Sequence, residues 1–459
     1  MHAACLSDRV PVQIHSRFHG ISIDAPSSTR PAWNTLRLSA VCEAGLMSSA
    51  ATDPANRGFA PKTTLVSGDV RRHNLAIIAR FLVSNGPSSR SQISDGTGLT
   101  RGAVTALSAA LADAGVVRES EPIVDGSKGR PLTLLALAAD EVALVALQID
   151  ADQAIALVVT LAGETLFRHA ERHGRPMGDP DVVLDVAARV LDAGLVATAA
   201  LHRRIVDLTV VVFAPVGGEP AQVLADTDLG WGTVDVIGGL RARNPELLAG
   251  VRLSSDVSVA ALAEQTALAG VRDMLYLKSN SGIGGALIVD GRLIQGAHGF
   301  AGAFGHLPID HDGARCECGQ RGCLVTVAGP DVVLASAGLG AILERDGLTV
   351  ALAELTRRIH AGDDPAVLAW DHAAVWIARA MQLLTMSFDP EAIVLGGYWA
   401  DLVEPVKRAF VRNHPTIAGS RLWADPPVLP GLLGDDAALL GAVWIARGRL
   451  LEDPLNLTI

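Results

Sequence analysis

The residues best equipped for chemistry lie close together: His306, then Cys316, Cys318 and Cys323, with Gly319 and Gly322 between the cysteines. Three of the chain's five cysteines fall within eight residues. Zn2+ takes thiolate and imidazole ligands in a tetrahedron, and glycine lets a short loop wrap several corners of it. The spacing predicts a closed, structural Cys3His zinc site with His306 as fourth ligand and His311 as the alternative histidine. A disulfide is the poorer reading, because Cys316 and Cys318 are too close for easy bridge geometry and any pairing strands an odd thiol.

The elements around this loop belong to a long chain. Its 459 residues suggest two to four domains, and 49% hydrophobic residues supply sizeable cores. Aromatics are only 4%, so small and branched aliphatics must fill those cores. No apolar run approaches the roughly 20 residues of a membrane span, and the N-terminus shows no secretion pattern, so a cytoplasmic protein with reduced thiols is expected. A net charge of −11 excludes a protein that coats nucleic acid indiscriminately, although a basic module can hide in an acidic chain.

Residues 1–68 lack sustained periodicity and predict a disordered arm. Met47, followed by Ser-Ser-Ala-Ala-Thr-Asp-Pro, resembles an ordinary bacterial start, so part of the arm is expected to be an upstream extension. From Asp69 the pattern sharpens. Leu75, Ile78 and Leu82 share a helical face that ends at Asn85-Gly86-Pro87. Ser89 can cap a second helix running through Ile93 and broken at Gly96-Thr97-Gly98. Thr100 can cap a third, with apolar Val104, Leu107, Leu111 and Ala114. Three short helices with a glycine turn before the last predict a helix-turn-helix, whose final helix offers its first residues, Thr100, Arg101, Gly102 and Thr105, to base edges. Val116–Leu135 reads as a two-stranded wing with a basic tip, Lys128 and Arg130. Residues 69–131 hold eight Lys/Arg against six Asp/Glu, reversing the overall acidity, with Arg71, Arg72 and Arg90 as further candidates for DNA contact.

Beyond the wing, three strands joined by tight turns (142–150, 155–161, 164–169) recur after two helical stretches as 274–278, 285–289 and 292–295. Such a duplication, each copy followed by helices, resembles an actin-like sugar-kinase fold, and that resemblance implies two α/β lobes around a cleft, each contributing one hairpin.

Gly299-Phe300-Ala301-Gly302-Ala303-Phe304-Gly305-His306, followed by the three-cysteine segment and Leu324, resembles the zinc-bearing signature of the ROK family (repressors, open reading frames and sugar kinases). The resemblance extends over residues 69–450: Arg71 to Asn74, Gly86 to Arg90, Gly98-Leu99 and Gly129-Arg130-Pro131 follow the order of ROK repressors. It implies a two-lobed α/β, actin-like or sugar-kinase-like fold at 136–459, preceded by an all-α winged helix-turn-helix DNA-binding domain at 69–135. By the same resemblance, the terminal helix opening at Asp435 packs back on the first lobe.

A phosphate hairpin needs glycine, because backbone N–H groups must approach phosphate oxygens without an intervening Cβ. The second hairpin keeps Gly282-Ile283-Gly284-Gly285. Where family kinases carry Asp-x-Gly-Gly-Thr-Lys, however, this chain has Asp150-Ala151-Asp152-Gln153, with an extra carboxylate expected to face the phosphate position. Gly396-Gly397 resembles the adenosine-side motif, or serves a strand-to-helix turn. Asp256 stands at the family's catalytic base, beside Ser255 in place of asparagine. Ala303 and Val325 replace two sugar-binding carboxylates. The resemblance therefore implies a catalytically degenerate ROK domain with Asp256 as a vestigial base, and Ser255, Asp256 and His306 as polar groups for a sugar-like effector. The expected partners are operator DNA and a second or further copy of the chain, in a homodimer or homotetramer. The competing expectation is an ATP-dependent sugar kinase fused to a DNA-binding domain.

Overall fold

The computed structural model describes residues 67–120, 133–174, 178–224, 230–247, 250–412 and 426–455. The predicted N-terminal arm through residue 66, the Met47 start and the basic wing tip with Lys128 and Arg130 lie outside the described residues.

The N-terminal module is built from α1 (Ser67–Asn85), β1 (Ser88–Ser89), α2 (Arg90–Thr97), α3 (Arg101–Asp113), β2 (Val117–Ser120) and β3 (Leu134–Leu137). Local chemistry sets its boundaries. The Ser89 hydroxyl accepts from the Gln92 amide while the Gln92 side chain accepts from the Ser89 amide, a reciprocal cap at the start of α2. Helix α2 runs past Gly96 and stops at Gly98, whose φ of 74° is left-handed. Thr100 caps α3 by accepting from Ala103 N. Leu75, Ile78, Leu82, Ile93, Val104, Leu107 and Leu111 meet in one buried cluster, so the apolar faces read from spacing do converge. The module is not all-α. Its strands pair antiparallel in the order β1-β3-β2, and Ser88–Ser89 adds a third strand to the expected pair.

The first lobe carries β4 (Val142–Ile149), β5 (Gln153–Thr160), β6 (Thr165–Arg172), α4 (Pro180–Ala200), β7 (Arg204–Val212), the small ladder β8 (Val216–Gly217) and β9 (Gln222–Val223), α5 (Val236–Arg243) and β10 (Arg252–Ser255). Helix α6 (Asp256–Ala267) leads to the second lobe, with β11 (Met274–Ser279), β12 (Ile283–Val289), β13 (Arg292–Leu293), α7 (Val325–Ala328), α8 (Pro330–Ser336), α9 (Gly340–Asp346), α10 (Leu348–His360), α11 (Asp364–Phe388), β14 (Ala392–Gly397), α12 (Val403–Arg412), β15 (Val428–Pro430) and α13 (Ala437–Glu452).

The two five-stranded sheets have the same plan. The first runs β10-β7-β4-β5-β6 and the second β15-β14-β11-β12-β13. In each, three antiparallel strands form a meander and two further strands join it in parallel. The duplication read from sequence thus extends to the parallel strands, where no motif marked it. Strands β4, β11 and β14 are buried on both faces, as expected when helices cover a sheet from both sides. Helix α13, preceded by a 3-10 turn at Gly434–Asp436, packs on α6, β4 and β7. Among the described residues no single helix is long and apolar enough to cross a membrane; only the pair Val325–Ser336 and Gly340–Asp346, bent by 88°, passes by length and composition together.

Candidate metal centre and cleft

His306 closes a 3-10 turn, Phe304–His306, and the cysteine loop folds back under it. Cys316 N donates to Gln320 O and Gly319 N to Cys316 O, curling the loop so that its sulfurs converge. Gly322 has φ 69°, and a Cβ there would collide with the Asp310 carbonyl, so only glycine fits the turn that brings Cys323 inward. The ligating atoms of His306, Cys316, Cys318 and Cys323 all lie within 4.8 Å of one another. Cys316 Sγ is 3.6 Å from His306 Nδ1, and Cys318 Sγ is 3.5 Å from Cys323 Sγ. A tetrahedron on Zn–S bonds of about 2.3 Å has S···S edges of about 3.8 Å, so these four atoms fit zinc. Burial pushes the Cys323 thiol up to about 12, with the Cys318 and Cys316 sulfurs adding to it, so a thiolate there needs a cation beside it. His311 is exposed and outside the cluster.

Two adjoining cavities lie beside the metal loop and share Phe213 and Gly282 in their walls. The smaller, about 270 Å3, is lined by Ser255, Asp256, Lys278, Ala303, His306 and Cys318 among others. It brings together the three polar residues expected to face an effector. The larger, about 720 Å3, lies between the lobes and touches Ala151, Ser281, Gly282, Cys316, Val325 and Gly347. Val325, the first residue of α7, lines the larger cavity and Ala303 the smaller.

Asp256 is the first residue of α6, and its Oδ1 accepts from Val257 N. Its Oδ2 lies 2.5 Å from Lys278 Nζ. Sequence reasoning missed this lysine. The available signal was one charge at the end of the apolar run Met274-Leu275-Tyr276-Leu277. Burial raises the Asp256 carboxyl above its ordinary value, with Lys278 pulling the other way. For Lys278, burial acts downward, but the charges of Asp256 and Asp150 outweigh it and the net shift is upward. The ammonium therefore stays charged and holds the oxygen that a base would use to take a hydroxyl proton.

In the first hairpin both carboxylates are engaged by the second lobe. Asp152 is buried, and its Oδ2 accepts from Leu348 N, 3.1 Å away, at the first residue of α10, with Arg172 at 4.0 Å. A carboxylate at a helix N-terminus satisfies an orphan amide and the helix dipole together, which explains the choice. Asp150 hydrogen-bonds the Ser281 hydroxyl across the cleft, so both hairpin carboxylates tie one lobe to the other. Gly396 abuts the Tyr276 hydroxyl and Gly397, at φ 62°, abuts Asn280. Close packing and a turn account for both glycines.

In the N-terminal module, Thr100, Arg101, Gly102 and Thr105 are all exposed at the start of α3. The Thr105 hydroxyl donates to Arg101 O. Arg90 pairs with Glu119 at 2.9 Å, and Arg72 pairs with Asp69 and lies 3.8 Å from Asp453 beyond α13. Arg71 is exposed on α1. Arg204 of the first lobe donates to Ala114 O at the end of α3, 3.0 Å away, so the module rests directly on the lobe.

Two duplicated α/β lobes around a cleft, with glycines in the second hairpin, define a sugar-kinase-like protein. The sequence model of the ROK family matches residues 144–449, more than half of the chain, and the chain belongs to that family. Among its relatives, the N-acetylmannosamine kinase of Citrobacter koseri is 33% identical over 202 residues, 42% of this chain and 64% of the kinase, so the chain spans just under two thirds of that enzyme's length. The xylose repressor of Bacillus subtilis is 21% identical over 408 residues, 83% of this chain and 97% of the repressor. A solved ROK family transcriptional regulator, described as a homologue of the E. coli MLC protein, shares the fold with a TM-score of 0.64 at 20% identity, covering 84% of this chain and 98% of that one. A ROK family glucokinase from Streptomyces griseus, solved with glucose and AMPPNP, superposes with a TM-score of 0.55 at 24% identity over 67% of this chain and 99% of its own.

Proposed function

We propose that this protein is a DNA-binding transcriptional regulator, a repressor of a carbohydrate-related operon, whose ROK domain has lost kinase chemistry. The N-terminal module acts as a winged helix-turn-helix that reads operator DNA with α3. The observation that carries this reading is the exposed N-terminal face of α3, where Arg101 stands with Thr100, Gly102 and Thr105 clear of the buried cluster beneath it. Similarity to a repressor along almost that repressor's whole length supports it.

His306, Cys316, Cys318 and Cys323 hold a structural Zn2+, which supplies no step of a reaction and fixes the loop beside the cavities. A sugar-like effector in the smaller cavity meets Ser255, Asp256 and His306. Its binding changes the packing of the lobes and, through the Arg204 to Ala114 contact and α13, the pose of the DNA-reading module in a homodimer or homotetramer in the cytoplasm. The kinase alternative is favoured by the intact second hairpin and by Asp256, but the first hairpin offers no glycine to a phosphate and Lys278 already holds the base position.

Genome-wide mapping of bound DNA is the test. The expected result is a few discrete sites with paired half-sites beside genes of carbohydrate uptake or breakdown, with affinity falling steeply as salt rises. Binding without sequence preference, or none at low salt, overturns the reading.

A further inference from the structure

Phe300 is 48% exposed and, with Phe388, is one of two exposed aromatic side chains among the described residues. It belongs to none of the buried clusters, so the cores make no use of its ring. Its backbone is nonetheless fixed. Gly299 has φ 82° and Gly302 φ 101°; a Cβ on the first would collide with the Val216 carbonyl of β8, and one on the second with the Gly285 carbonyl of β12. Gly285 N donates to Gly302 O at 2.9 Å, and Ala301 N to Gln295 O at 3.3 Å. The turn that carries Phe300 is thus pressed against the first lobe's ladder at one end and the second lobe's hairpin at the other. The ring lines the smaller cavity together with Phe213, which packs against the cores of both lobes.

The same cavity is short of polar partners. Asp256 and Lys278 are committed to each other and cancel in charge, while His306 and Cys318 belong to the metal cluster. Ser255 and Ser258 add hydroxyls, and Ser255 spends none on capping α6. Val257, Ile283 and Ala303 contribute apolar wall. Two serines beside an ion pair can seat one edge of a sugar ring. A free hexose, however, carries hydroxyls around its whole rim, and those turned to the apolar wall or the phenyl rings would be buried unpaired. A ligand that is polar at one end and flat and apolar at the other strands no hydroxyl, because its apolar face can lie on an aromatic ring already held in place.

We infer that the smaller cavity takes an uncharged glycoside with an aryl aglycone, the aglycone stacking on Phe300 and the sugar hydroxyls meeting Ser255 and Ser258. The inference rests on the effector reading above and names the class of ligand. Its test uses no DNA, so it can fail while operator binding stands, and the reverse.

The experiment is calorimetric titration of the full chain, purified without chelator, with the p-nitrophenyl β-glycosides of glucose, galactose, xylose and N-acetylglucosamine, each compared with its free sugar and with p-nitrophenol. At least one glycoside should bind about tenfold or more tightly than both its free sugar and p-nitrophenol. Phe300→Ala should remove about that factor and Phe300→Tyr should keep it, with both melting as wild type because the ring supports no core. Binding by none of these glycosides, binding no tighter than that of the free sugar or of p-nitrophenol, or a Phe300→Ala protein that binds as wild type does each overturns the inference.

Discussion

Lys278 Nζ and Asp256 Oδ2 meet at 2.5 Å at the edge of the smaller cavity, with both side chains at least nine-tenths buried. The pair joins β11 to the first turn of α6, and so joins the two lobes' connecting helix to the second sheet.

Lys278→Met should therefore lower folding stability by about 3–5 kcal/mol, because it leaves a buried carboxylate unpaired, while Lys278→Met with Asp256→Asn should cost clearly less. Denaturant unfolding of the four-member cycle measures the difference. A loss in the double variant equal to the sum of the two single losses would show that the two groups are not coupled.

The pH dependence follows from the direction of the shift. Lys278 has a folded-state pKa above its ordinary 10.5, so its contribution is fully present below that value and is lost as pH rises through the higher one. Asp256 is also raised, above 3.8, so its own titration favours the folded state most in acid and less as pH rises through its folded value. Wild type should lose stability above about pH 10.5 more steeply than Lys278→Met. Parallel alkaline curves for the two proteins would refute the assignment.

No phosphorylation of glucose or N-acetylglucosamine by ATP is expected above background, and neither sugar at millimolar concentration should shift the melting temperature or release operator DNA. Ala303 leaves a buried hydroxyl without an acceptor on its side of the cavity, and such a loss typically weakens binding by about 1.5–3 kcal/mol when the missing partner is charged. A coupled ATPase assay and a thermal shift series check this. A clear shift with either sugar would move recognition to other residues of the cavity.

Cys318→Ser should reduce zinc from one ion per chain and destabilise the second lobe, since binding free energy of a structural metal is folding free energy. Elemental analysis of protein purified without chelator reads the metal directly. Zinc-free wild-type protein of full stability would end the claim.

Arg101→Ala should weaken operator binding and relax preference at one base position by roughly 1–3 kcal/mol. Binding to a library of operator variants tests it. An unchanged preference would pass the base-reading role to Thr100 or Thr105.

The sequence alone determined what neighbouring residues decide among themselves. The four candidate ligands lie within a stretch of eighteen residues, the caps at Ser89 and Thr100 act three residues away, and the apolar spacing of α1 and α3 marks the faces that meet in the first core. The missing glycines of the first hairpin are equally local, as is the recurrence of the three-stranded meander. The tertiary structure decided what depends on partners far along the chain. Asp152 accepts from the amide of Leu348, 196 residues away. Lys278 reaches Asp256 only because β11 and α6 pack side by side. A side chain's type and spacing fix what it can bond to and which face it occupies, but when burial leaves several groups competing for one partner, the packing of distant elements chooses among them.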